Sequence, residues 1–152
     1  MSDADEALRK LFDEIRGLPG EVRSFPVAPS ATPRRVREHL SARYHFDQPQ
    51  PLADVFDDVR GMFRAWSTPS IHPRHFGLFN PTTDLCSVSA DALVALYNPQ
   101  LSVWGAAPGP VEIEQFTLRA LASRLGFSAE EPLATNFTSG GAEANHTAFV
   151  AA

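Results

Sequence analysis

The chain has 152 residues, of which 43% are hydrophobic, 20% charged and 10% aromatic, with nine Gly and thirteen Pro spread along it. That balance fits an ordinary globular protein and excludes collagen-like, coiled-coil and disordered classes. A net charge of −5 argues against a nucleic-acid binder, no apolar run reaches the ~18 residues of a membrane span, and the one cysteine, Cys86, cannot build a disulfide framework.

The start, MSDADEALRK, is acidic and has no apolar core of a secretory signal, so a cytoplasmic location is expected. Ser2 is placed to cap a first helix with Asp3, Asp5 and Glu6 in its first turn. Leu8, Leu11, Phe12 and Ile15 recur at i, i+3, i+4, i+7, and Arg16, Gly17 and Pro19 are expected to close the helix. Residues 20–30 form a Pro-punctuated connector. Thr32 and Pro33 then open a short helix to about Ala42. A third helix begins at Pro51 and carries Leu52, Val55, Phe56, Val59, Phe63 and Trp66 on one stripe, a core or subunit-interface face. Residues 71–84, IHPRHFGLFNPTTD, read as a loop of the kind that often carries function. A helix from about Asp84 to Tyr97 stops at Asn98-Pro99. Another starts at Pro110 and ends at a Gly126 cap. A weak strand over Leu133–Phe137 leads into TSGGAEANHTAFVAA, whose Ala-rich helix stops without a cap; the terminus reads as a cut.

Of the thirteen basic residues twelve are Arg, and Lys10 is the only lysine, so Schiff-base chemistry has one candidate, in the first helix. Residues 1–80 hold eleven acidic and eleven basic side chains, residues 81–152 seven and two. His72 and His75 stand at i, i+3 with Cys86 and His45 not far off, but no third metal ligand has recognisable spacing, and loop histidines bonded to backbone are the better reading. Cys86 reads as a buried small hydrophobe, and Asp57-Asp58 and Glu130-Glu131 as solvated carboxylates.

The strongest local signal is Phe137-Thr138-Ser139-Gly140-Gly141-Ala142-Glu143-Ala144-Asn145. A strand, a Gly pair and an immediate helix start place backbone N–H groups at the positive end of a helix dipole, which suits a phosphate or carboxylate. Thr138 and Ser139 can add hydroxyl donors. The segment is neither a GxxxxGK[ST] loop nor a GxGxxG fingerprint, and an ordinary strand-to-helix turn has the same pattern.

HPRHFGLFN at 72–80, SADALVALYNPQLSVWGAAPGPVEIEQ at 89–115 and FTSGGAEAN at 137–145, in this order, resemble the N-terminal part of the group II pyridoxal-phosphate-dependent amino-acid decarboxylases, the aromatic-L-amino-acid and glutamate decarboxylase type. The likeness covers about Leu18 to Ala152 and about the first third of a complete member. It implies an α/β fold of the aspartate-aminotransferase-like type (fold type I), mainly helical in this stretch, with a subunit-packing region at 1–80 and the opening of the cofactor-binding large domain at 81–152. It implies that Ser139, Gly140, Gly141 and Ala142 line the phosphate pocket of pyridoxal 5′-phosphate, with Ala142 where many members have Ser or Thr. Asn80 and Thr82 are implied contacts of an amino-acid substrate, and Leu101–Trp104 would reach toward a partner subunit. The family's cofactor-binding lysine, its aspartate on the pyridine nitrogen and its ring-stacking histidine have no counterpart here, so no catalytic residue is assigned to this chain. The expectation is a decarboxylase portion, inactive alone, completed as a homodimer or by a C-terminal chain, with no nucleic acid, membrane or metal partner. The alternatives are a small phosphate-ligand binder and a subunit-interaction module.

Overall fold

A computed structural model describes residues 2–77, 82–128 and 135–152. Among the described residues six α-helices follow in the order α1 (Asp3–Glu21), α2 (Pro33–Arg43), α3 (Leu52–Trp66), α4 (Leu85–Tyr97), α5 (Pro108–Arg124) and α6 (Gly141–Ala151). The chain divides into two compact units, Met1–Leu85 and Cys86–Ala152.

In the first unit α1 begins with a reciprocal cap. The Asp5 amide donates to Ser2 Oγ at 3.1 Å, and the Ser2 amide donates to the Asp5 carboxylate at 3.0 Å. The helix runs through Gly17 and Pro19, where the sequence suggested an end, and the Val22 amide closes it on Leu18 O. Proline in a last turn gives up one hydrogen bond, and a single 3₁₀ turn, Val22–Ser24, follows. Thr32 caps α2 by accepting the Arg35 amide at 3.2 Å. Pro51 has no capping side chain for α3, and Asp3 of α1 takes that role, accepting the Leu52 and Ala53 amides at 2.6 and 3.0 Å. These bonds hold the Asp3 carboxyl below its ordinary range, the Ala53 amide having the larger effect.

α1 and α3 lie side by side and run parallel, as their pairings show: Asp3 with Leu52, Lys10 with Asp57 at 2.6 Å, Glu14 with Arg64 at 2.5 Å, and Glu21 with Arg64 at 2.7 Å. Ala7 and Ala53 are buried in this seam, small enough to let the helices approach. Of the expected apolar stripe of α3, Val55, Phe56, Val59 and Trp66 are half-buried, while Leu52 and Phe63 are exposed. Leu8, Leu11 and Phe12 of α1 are likewise exposed. Phe56, Val59 and Phe63 line a shallow cleft of about 400 Å³ together with Leu11, Leu18 and Phe25.

In the second unit α4 ends at Asn98, whose φ of 42° is left-handed, a conformation Asn tolerates. α5 starts two residues earlier than expected, with Pro108 in its first turn. It finishes on Gly126 at φ +84°, the Gly126 amide donating to Ser123 O at 3.2 Å and the Phe127 amide to Ala122 O at 3.0 Å. That is the Schellman pattern, and it satisfies carbonyls the helix leaves open. Among the described residues α4, α5 and α6 do not pack on one another; α5 meets only the 3₁₀ turn Trp104–Ala106. The expected strand is not formed at Thr135, Asn136 or Phe137, while Leu133 and Ala134 lie outside the described residues. A lone strand has no ladder partner for its backbone groups, so its sequence preference is not realised.

Candidate functional site

The turn before α6 is where the Gly pair falls. Gly140 is fully extended (φ 166°, ψ 179°) and leads straight into α6. The first intrahelical bond is from the Ala144 amide to Gly140 O at 3.0 Å. The amides of Gly140, Gly141, Ala142 and Glu143 therefore have no hydrogen-bond acceptor among the described residues, as any helix start requires. A Cβ added at Gly140 or Gly141 would meet nothing within 4 Å, and residues 140–143 are exposed.

Both hydroxyls of the turn are already committed. Ser139 Oγ donates to Glu143 Oε2 at 2.6 Å, and the Ser139 amide donates to the same oxygen at 2.7 Å. Thr138 Oγ1 donates to Gly140 O at 3.3 Å. Ala142 brings no hydroxyl. The donor set open to an anion is thus made of amides alone, where the sequence suggested added hydroxyl donors. The Ser139 hydroxyl, and after it the Ser139 amide, hold the Glu143 carboxyl below its ordinary range.

Thr82 is exposed, and Asn80 lies outside the described residues. Lys10 is bonded to Asp57, to Glu6 at 3.3 Å and to Ala53 O at 3.4 Å. The Asp57 bond, then Glu6, hold its ammonium above the usual lysine range despite partial burial. Such a lysine is a structural cation, poorly suited to attack a carbonyl. His72 is 3% exposed, and its Nδ1 accepts the Arg74 amide at 3.0 Å. The neutral ring then carries its proton on Nε2, which removes that nitrogen as a metal ligand. Nε2 of His72 and of His75 are buried without a hydrogen-bond partner among the described residues.

Three expectations need correction. Cys86 is exposed rather than buried; among the described residues no other helix packs on α4. Asp57 is not a freely solvated carboxylate; besides Lys10 it meets Arg60 at 2.9 Å. Asp58 is a part-buried hub that accepts the Tyr44 hydroxyl at 2.6 Å and pairs with His39 Nε2 at 2.9 Å. Glu130 and Glu131 lie outside the described residues. The His39–Asp58–Tyr44 cluster was missed because nothing local marks it: its members are 19 and 14 positions apart and meet only once α2 lies against α3. His39 also sits edge-on to Trp66 with ring centroids 5.2 Å apart. Asp58 is held below the usual carboxylate range, first by the Tyr44 hydroxyl and then by His39.

Among the described residues no group of three His, Cys, Asp or Glu side chains is arranged to hold a metal, and no helix is long and apolar enough to cross a membrane. A cleft of about 580 Å³ between Leu40, Tyr44, Phe46 and Val55 does not include the glycine turn.

The fold is that of the N-terminal part of pyridoxal-phosphate-dependent decarboxylases. The chain is similar to the Oryza sativa TDC solved with PLP and tryptamine, with 25% identity and a TM-score of 0.72 over 83% of this chain and 26% of that one. It is also similar to Catharanthus roseus tryptophan decarboxylase in complex with L-tryptophan, with 20% identity and a TM-score of 0.66 over 82% of this chain and 25% of that one. The chain thus spans about a quarter of the length of these solved structures. No family model and no curated protein sequence matches it.

Proposed function

We propose that this chain is the N-terminal portion of a pyridoxal-phosphate-dependent amino-acid decarboxylase, and that Ser139, Gly140, Gly141 and Ala142 line its phosphate pocket. The observation that carries this reading is the likeness over 83% of the chain to a structure that contains PLP. The residues present suit the group. An exposed 11-residue helix start whose first amides have no acceptor among the described residues is a place where a phosphate dianion is favoured.

In this reading the amides of Gly140, Gly141 and Ala142 hold and orient the phosphate, while Ser139 shapes the turn. When bound, the cofactor supplies the electron sink for the charge left as CO₂ departs from an L-amino acid. Asn80 and Thr82 are proposed contacts of that substrate. Lys10, tied to Asp57, is not the lysine of the reaction, so the reactive lysine comes from outside these residues and the chain alone is inactive. The complete site forms in a homodimer or with a C-terminal chain. Residues 1–80 then serve subunit packing, and 81–152 open the cofactor domain.

Titration of the full chain with pyridoxine 5′-phosphate tests the pocket, because this alcohol cannot form an imine with Lys10. Binding that is lost with unphosphorylated pyridoxine supports the proposal. Equal binding of both, or no binding of either, overturns it. Tighter binding of nucleoside monophosphates would favour a general phosphate-ligand binder, a reading that the all-amide donor set also supports.

A further inference from the structure

We infer that Glu143 is a positioning residue for the phosphate pocket: its carboxylate clasps Ser139 and thereby fixes the direction in which the Gly140–Ala142 amides point. The inference rests on the pocket proposed above and names the residue that shapes it. One oxygen, Oε2, takes both the amide and the hydroxyl of Ser139, at 2.7 and 2.6 Å. Ser139 lies one residue before the extended Gly140, and Glu143 lies in the first turn of α6, so the clasp spans the glycine pair.

Apart from the Thr138 hydroxyl and the Ala144 amide on Gly140 O, the clasp is what the described residues offer to hold this stretch. Gly140 and Gly141 are exposed, and space around both is open. Glycine is the residue with the most backbone freedom to lose. A ligand that must order two free glycines loses affinity by doing so, whereas a turn already closed by Glu143 imposes no such loss. The carboxylate bonds to Ser139, outside the helix, and leaves the amides of the helix start unpaired.

The test is the affinity of the full chain for pyridoxine 5′-phosphate in Glu143→Ala, Glu143→Gln and Ser139→Ala, read beside hydrogen exchange of the Ser139 amide. Glu143→Ala is expected to weaken binding about tenfold and to release the Ser139 amide to exchange. Glu143→Gln keeps an acceptor oxygen for both donors, so it stays within about twofold of the parent. Ser139→Ala removes one of the two bonds and falls between. Unchanged or tighter binding in Glu143→Ala overturns the positioning role and makes the carboxylate a competitor for the anion. Failure of Glu143→Gln to rescue also overturns it. Failure of the parent chain to distinguish the phosphate ester from pyridoxine defeats the pocket itself, a result separate from the behaviour of the variants.

Discussion

Asp58 is the residue that fastens α2 to α3. No residue of α2 is buried, and its ties to α3 include Tyr44 and His39 on Asp58 and the edge-on contact of His39 with Trp66, with Arg43 bonded to Gln50 at 2.6 Å just before α3. Asp58→Ala leaves two part-buried donors without an acceptor and is expected to cost about 1–3 kcal/mol by denaturant unfolding. The pH dependence has a definite sign. Asp58 has a lowered native pKa, so its stabilisation is complete above the unfolded carboxylate value and drains away as pH falls through the depressed native one. Lys10 gives a second prediction. Its ammonium is held protonated by Asp57, so pyridoxal phosphate followed by borohydride is expected to leave Lys10 unlabelled at neutral pH, and Asp57→Asn to expose it, as peptide mass mapping would show. Neither role was legible in the sequence. A lysine in a helix and adjacent aspartates look the same whether they face water or another helix, and only tertiary pairing assigns them.

For helices and turns the sequence was far more informative, because caps are local. Ser2 with Asp5, Thr32 with Pro33, Asn98-Pro99 and Gly126 marked helix ends that the structure places within a few residues. Where reading along the chain failed, the missing information was non-local. Pro51 does not cap α3 by itself, since Asp3 supplies the cap from 49 positions away. The strand before the glycine turn needs a partner strand to exist at all. Gly126 offers a clean test of the local part. Its φ of +84° is left-handed and a Cβ there would meet nothing within 4 Å, so Gly126→Ala carries conformational strain without a clash. It is expected to destabilise the end of α5 by about 1–2 kcal/mol, read as faster amide exchange at Gly126 and Phe127. The glycine turn itself was legible as a helix start with free amides. Its clasp by Glu143 was not, because a glutamate in a first turn is also the commonest dipole partner.

Across the chain as one body of matter, the second unit has little interior of its own. Among the described residues the buried apolar ones there are Ala107, Leu118 and Ala122, while Leu93, Val94, Leu96, Phe116, Leu125, Phe149 and Val150 are exposed. In α4 apolar side chains lie on every side and Asp91 is the only charge, a pattern that suits a helix enclosed within a larger protein. The chain alone is therefore expected to bind a hydrophobic dye such as ANS. Leu96→Glu, at a position 76% exposed, should reduce dye binding while changing stability by no more than about 0.5 kcal/mol. The first unit differs in kind. Two parallel helices bring their positive ends together, and Asp3 sits on the second while the acidic first turn of α1 faces the same region. Paired ions add to apolar contact in holding that seam, and because they are partly exposed, added electrolyte should screen them and soften this half of the molecule.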